Sequence, residues 1–283
     1  MKKLLLATTM LAGTAGFAAA EVTWSGSASM GVARDGEVSG TAFTDDGIHV
    51  YSSGTLDIAA STETDGGLTI SLSTSVSFGT SYSFADDDGF AAEDGTIGEP
   101  TLAISGAFGT LTFSNDNIDQ LYSDDESGDV SYTYSVGDLS LGLVYDVDNT
   151  NAYDWSASAS YKVSGVTLAA VVDAEDSYNL SAAYEINGLT ATVETDSDAG
   201  ADAVNTLTLG YAVDAFSGEI SADDAEGWSI AVGYEANGIG VDLSTDEANA
   251  WEATASYDLG GNASLEAGVN YVHDGYAGVT FSF

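Results

Sequence analysis

The sequence predicts an all-β fold: a transmembrane antiparallel up-and-down β-barrel of 16–18 strands, with short periplasmic turns and longer acidic outer loops. Three observations predict it. Apolar residues alternate with small or polar ones at a period of two, tight-turn dipeptides recur between the alternating runs, and aromatic residues mark both ends of the apolar faces.

The first segment stands apart from the fold. Met1-Lys2-Lys3 is a basic start, Leu4 to Phe17 is apolar but short, and Ala18-Ala19-Ala20 fits a cleavage site before Glu21. A spanning helix needs about 20 apolar residues, so residues 1–20 are expected to be a cleaved signal peptide and 21–283 the barrel domain.

Alternation is plainest in the second half. Trp228, Ile230, Val232 and Tyr234 fall on one face, with Ser229, Ala231 and Gly233 on the other. Asn237-Gly238 follows, a strong type I′ hairpin signal, and Ile239, Val241 and Leu243 return. The same unit recurs around Ser164-Gly165, Asn187-Gly188 and Gly260-Gly261. Tyr134, Tyr161, Tyr184, Tyr211, Tyr234 and Tyr257 precede such turns at intervals of 23 or 27 residues.

Strands are expected to start near residues 21, 47, 67, 99, 109, 129, 139, 153, 166, 178, 189, 203, 215, 227, 239, 250, 262 and 276, which makes 18. Sixteen requires two of these to merge. Longer outer loops are expected at 35–46, 80–98, 115–128 and 197–202.

Trp155, Tyr178, Trp228 and Trp251 form a second aromatic row at the strand ends opposite the tyrosines. Two aromatic rows flanking an apolar band suit two membrane interfaces, because amphipathic rings settle at headgroup depth. A soluble sandwich with one buried face explains the alternation but not the two rows.

The other face carries Ser156, Ser158, Ser160, Thr190, Thr192, Ser256 and Ser264, with Asp154, Glu185, Glu194, Glu235, Asp242, Glu252 and Glu266 among them. A dry core does not tolerate that many carboxylates without partners. Past the leader, Arg34 and Lys162 are the only strong bases, Lys162 being on this same face. The face is therefore expected to be wet, in a barrel wide enough for water.

The formal charge is −41, or −43 once Lys2 and Lys3 are removed. Such a chain does not bind nucleic acid through phosphate. A composition 44% hydrophobic and 10% aromatic argues against disorder. There is no cysteine, hence no disulfide and no thiol chemistry, and the single proline is Pro100. His49 and His273 lie far apart in the chain, a poor signal for catalysis, so the protein is not read as an enzyme. No cofactor is required. Acidic clusters at Asp45-Asp46, Asp86-Asp87-Asp88, Glu93-Asp94 and Asp124-Asp125-Glu126 are the places where Ca²⁺ would bind, without EF-hand spacing.

Several segments resemble Rhodobacter-type α-proteobacterial porins. They are Glu21-Val22, Ser25-Gly26 and Met30-Gly31-Val32; Ser105-Gly106-Ala107-Phe108-Gly109; Tyr132-Thr133-Tyr134-Ser135; Ala255-Ser256-Tyr257-Asp258-Leu259-Gly260-Gly261; and the end, Val279-Thr280-Phe281-Ser282-Phe283. The ending is similar to the signal read by the barrel-assembly machinery. The resemblance implies a homotrimer of water-filled barrels in outer-membrane lipid, passing small hydrophilic solutes by passive diffusion; the acidic inner face, read from the residues themselves, is expected to make the pore favour cations. It also implies a third loop folded into each pore. Here that loop, Asn115 to Gly128, is short; Asp116, Asp119, Asp124, Asp125 and Glu126 are its constriction candidates, and Ile118, Leu121 and Tyr122 its apolar interruptions. The basic cluster that faces the acidic loop in the family has no counterpart beyond Arg34 and Lys162. A substrate-specific channel and a structural or adhesive barrel without conductance are the alternatives. The first calls for an aromatic track or paired charges along the lumen and the second for a plug or a filled lumen.

Overall fold

A computed structural model describes residues 20–39, 42–84, 89–123, 125–147 and 153–283, the side chains of 35–39, 42–46 and 116 excepted. The strands are β1 (Glu21–Ser39), β2 (Ala42–Glu63), β3 (Thr69–Tyr82), β4 (Phe90–Ile97), β5 (Thr101–Gly106), β6 (Gly109–Asp119), β7 (Ser127–Val136), β8 (Leu139–Tyr145), β9 (Trp155–Val163) and β10 (Val166–Asp173). They continue with β11 (Tyr178–Ile186), β12 (Leu189–Ser197), β13 (Val204–Val213), β14 (Phe216–Asp223), β15 (Trp228–Ala236), β16 (Ile239–Asp246), β17 (Trp251–Gly260), β18 (Ala263–Asn270) and β19 (Gly275–Ser282). Apart from the break between β4 and β5, each strand pairs antiparallel with its chain neighbours, and β1 pairs with both β2 and β19, which closes the barrel.

The wall has 18 positions, because β4 and β5 are one wall strand in two pieces. Both pair with β3, β4 along Val76 to Tyr82 and β5 along Thr69 to Ser73. The break falls at Gly98-Glu99-Pro100, where proline, lacking an N–H, cannot continue a ladder. The count agrees with the sequence expectation, and the starts agree to within two residues except at β2, which begins at Ala42 and not near 47; β4 is the segment it missed.

One end is built mostly from two-residue turns, the five-residue β2–β3 connection at 64–68 being the longer one. Ser164-Gly165, Asn187-Gly188 and Asn237-Gly238 hold both residues at positive φ, the type I′ geometry their sequences favour. The other end mixes two constructions. In four connections an Asp or Asn side chain accepts the backbone N–H groups two and four residues ahead. Asp173 receives Glu175 and Ser177, Asp223 receives Ala225 and Gly227, Asp246 receives Ala248 and Ala250, and Asn270 receives Val272 and Asp274. The residue third after each cap, Asp176, Glu226, Asn249 or His273, sits in the left-handed region.

The longer loops lie in the first half, but they are shorter than expected. Of 35–46, all but residues 40–41 belongs to β1 and β2, and most of 80–98 is β3 and β4. The third loop spans only 120–126, whereas the loop expected at 197–202 falls at 198–203 with its expected length. The cause is the same in the shortened three: Asp, Gly and Ser in these stretches read as loop composition, yet they extend hairpins past the membrane, where a polar strand costs little. The wall is thus uneven. β1 and β2 run 19 and 22 residues, against eight or nine in β14 to β16. Nine residues at about 3.3 Å each, tilted by about 40°, cover roughly the 25 Å apolar band of a membrane barrel.

The apolar residues point outward. Leu168, Leu180, Val193, Leu207, Ile220, Val232 and Leu243 are all exposed, in a belt bounded by Tyr161, Tyr184, Tyr211, Tyr234 and Tyr257 at the tight-turn end and Trp155, Trp228 and Trp251 at the other. Register sets each tyrosine beside an apolar partner: Tyr161 faces Leu168, and Tyr234 meets the ring of Phe216 with centroids 5.0 Å apart. A dry core of the globular kind is absent among the described residues; what is buried lies inside the barrel.

Candidate functional site: the inner wall of the barrel

Cross-strand partners share a face, so register locates the predicted carboxylates. Glu185 faces Thr190, which faces Gly210, then Glu219. Glu219 faces Ala231, then Ser244, then Glu252. Glu235 faces Gly240, then Ser256, then Glu266. Asp242 faces Gly233 and Thr254, and Glu194 faces Ser181 and Thr206. All these acids lie on the inner face. Asp154 precedes β9 at the outer end, where its carbonyl accepts the N–H of Asp146. Lys162 faces Thr167 near the tight turns, also inside.

Glu219 and Asp258 join this set and were missed. Asp258 faces Ser264 at the tight-turn end, and with Glu235, Asp242 and Glu266 it borders a recess of about 930 Å³. Glu219 hides in the run Ser217-Gly218-Glu219-Ile220, where glycine occupies an outward position and blurs the alternation. The usable signal is that acids oppose glycines. Glu219 lies across from Gly210, Asp242 from Gly233, Glu235 from Gly240 and Glu266 from Gly278. A Cβ on Gly233 would stand 2.8 Å from Oδ1 of Asp242 and 2.4 Å from Oγ of Ser217. The missing side chain leaves both polar groups room against the wall. Glu266 is further held by Ser264 and Thr280, whose hydroxyls donate to Oε1 at 2.8 and 2.7 Å.

Bases are scarce inside. Lys162 is inward at one end, whereas Arg34 faces Ile48 and shares its outward face. The wall of β14–β17 therefore presents Glu219, Glu235, Asp242, Glu252 and Asp258 with no Lys or Arg on those strands. Asp173, Asp223 and Asp246, by contrast, are committed to capping turns.

The third loop leans on the opposite inner wall. Ser156 Oγ donates to Oε1 of Gln120 at 2.6 Å and accepts the N–H of Leu121 at 2.8 Å. Leu121 lies against Gly142, where a Cβ would be 3.3 Å from its methyl. Tyr122 reaches further, donating to Asp196 at 3.1 Å and Asp198 at 2.9 Å. Ser123 N–H donates to Tyr153 Oη at 3.1 Å. Burial raises the pKa of the Tyr122 hydroxyl, and the two carboxylates raise it further. Thus Leu121 and Tyr122 pack the loop inward. Of the constriction candidates, Asp119 pairs with Ser127 at the end of β6, Asp125 is exposed with its N–H on Ser123 Oγ, and Glu126 closes the loop through its carbonyl to Gln120. Asp124 and the side chain of Asp116 lie outside the described residues, as do Asp86 to Asp88 and the side chains of Asp45 and Asp46. Glu93 accepts the hydroxyl of Ser81, and Asp94 caps Thr96. Among the described residues no three His, Asp or Glu side chains are arranged to hold a metal.

The comparisons agree with this architecture. The family model for Gram-negative porins matches residues 7–276. No curated protein sequence matches the chain. Solved structures of engineered variants of the Rhodopseudomonas blastica porin align over 93% of this chain and all of theirs. A five-substitution variant is 17% identical with a TM-score of 0.54, and a triple mutant is 18% identical at 0.55. At that identity the likeness is one of fold.

Proposed function

Since the chain belongs to the Gram-negative porin family and so resides in the outer membrane, we propose that it forms a water-filled, cation-selective channel for passive diffusion of small hydrophilic solutes and ions. One observation carries the reading: the exposed inner wall of β14–β17 bears five carboxylates and no base. Rings of acids favour cations, and at 0.1 M salt the Debye length is about 10 Å, so charge on the wall acts across a pore of similar radius. The reading needs no cofactor and no catalytic group.

Residues 1–20 are proposed to be cleaved after export, with the Val279 to Phe283 ending read during assembly. A homotrimer in outer-membrane lipid is proposed too: outward alanines such as Ala157, Ala159, Ala253 and Ala255 offer a smooth wall to a neighbouring barrel. Single-channel recording in a planar bilayer tests the proposal. Ohmic steps, in groups of three if the trimer inserts as a unit, are the expected result; a silent, correctly folded barrel would refute it.

A further inference from the structure

The most buried inner-wall residues fall in two sectors. One is under the third loop, with Ser156 and Asp146 at 0% and Val144 at 2% exposure. The other has Ala33 at 2% and Tyr51 at 6%, on β1 and β2, far from that loop. What covers the second sector is the β3–β4 hairpin. β3 stays paired with β2 only up to Thr80 opposite Ser52, while β2 goes on pairing with β1 as far as Ala42. At Gly79 the chain takes φ +95, and a Cβ there would lie 2.1 Å from the carbonyl oxygen of Ser52.

Simple alternation would leave Tyr82 on the face of Phe78, whose ring lies outside against Gly54. Instead Tyr82 is inside. Its ring stacks on Tyr51 with centroids 5.8 Å apart and meets Phe90 at 4.9 Å and Tyr276 at 6.1 Å, and its hydroxyl donates to the Arg34 carbonyl. Phe90 lies edge-on to His49, and Phe84 lies 4.9 Å from Tyr276. A Cβ on Gly268 of β18 would touch the Phe84 ring at 2.9 Å. In wall order β2, β1 and β19 all lie between β3 and β18. The end of β3 therefore reaches across three strands of inner wall.

We propose that this hairpin, turned inward at Gly79, is a main determinant of pore width, and that with the third loop it confines water and ions to the carboxylate wall of β14–β18. The inference rests on the channel reading and adds the element that shapes the path. Two covered sectors, one toward β18 and one toward β12, leave the intervening wall open. On it Glu219, Glu235, Asp242 and Asp258 are exposed, and the recess of about 930 Å³ lies there. A solute held against that wall stays within a Debye length of its charge, where in a wider lumen it would not.

Two measurements test this on the full-length refolded barrel. The triple variant Tyr82→Ser/Phe84→Ser/Phe90→Ser removes the aromatic seal. Its single-channel conductance should rise roughly twofold and its cation preference should fall, since a wider lumen screens the wall. Unchanged conductance and selectivity would overturn the proposal. The second uses the absence of native cysteine. Phe84→Cys/Tyr276→Cys should be joined by a short bis-thiol reagent in the folded barrel and not in urea. Labelling of both thiols without cross-linking would also overturn the inward hairpin. Cross-linking needs no conductance, so a silent wild-type barrel would count against the channel reading alone.

Discussion

Tyr122, in the third loop, donates its hydroxyl to Asp198 at 2.9 Å and to Asp196 at 3.1 Å, tying the loop to the far end of β12. The pKa of this tyrosine is raised, by burial first and then by the two carboxylates. A raised pKa means that docking is fully present below the ordinary tyrosine value of about 10 and is lost as pH rises through the higher folded value. The ultraviolet difference between wild type and Tyr122→Phe should show one tyrosine titrating later than the bulk. The variant should lose about 1 kcal/mol, less than buried bonds to charged groups contribute because the site is partly wet. It should also be cut faster by protease in the third loop. Equal cleavage of both proteins would mean the bonds do not hold it.

Gly79 and Gly233 answer different questions under the same substitution. Gly79→Ala meets a backbone oxygen at positive φ, so it should cost roughly 2–4 kcal/mol and slow assembly. Gly233→Ala meets only the ends of the Ser217 and Asp242 side chains, which can swing away. It should cost under about 1 kcal/mol and shift ion selectivity instead. Urea unfolding in lipid vesicles separates the two; similar losses for both would contradict the close approach at Gly79.

Asp246 should matter to the turn and little to the path. Its Oδ1 accepts two backbone N–H groups at 2.9 Å, from Ala248 and Ala250. Asp246→Ala leaves those donors to water and should cost about 1–2 kcal/mol. Asp242→Asn, four residues away, should leave stability within about 0.5 kcal/mol. The pair of unfolding curves checks this, and the reverse order of stabilities would refute the division of roles.

Legibility in the sequence follows the physics of each element. Register is set by a period-two pattern and by turn residues, both local, which is why Asn187-Gly188 and Asn237-Gly238 announce their hairpins and the strand starts are read closely. Sidedness is local too, so Glu185, Glu235 and Asp242 are found inside. Glycine carries neither sign, and Glu219 is lost beside Gly218. Asp173, Asp223 and Asp246 look like any acidic loop residue, because an Asx cap depends on φ three residues later. The inward turn of the β3–β4 hairpin is a contact between Phe84 and Tyr276, 192 positions apart, and no local pattern encodes it.

The C-terminal residue is a seam. Gly26 and Phe283 exchange backbone hydrogen bonds at 3.1 and 3.0 Å, and a Cβ on Gly26 would lie 2.8 Å from the Phe283 ring. Deleting Phe283 removes both bonds and the ring that covers the β1 end. Insertion into vesicles, followed by gel mobility of unheated samples, should slow severalfold, while conductance of the barrels that do form stays near wild type. Normal kinetics would show that closure does not depend on this residue.

Selectivity is the prediction nearest to the function. Carboxylates are ionised at neutral pH, their reference values being about 4. With five on β14–β17 and Lys162 the one Lys or Arg on the inner face among the described residues, the zero-current potential across a salt gradient should have the cation-selective sign at neutral pH. It should shrink in 1 M salt, where the Debye length is about 3 Å. Glu219→Gln/Asp242→Asn should reduce it more than neutralising Glu175, which is exposed at the outer turn and away from that wall. An anion-selective sign at low salt would refute the assignment of the inner wall even with the barrel intact. Equal effects of the two neutralisations would show that charge at the mouth, and not on β14–β17, selects the ion.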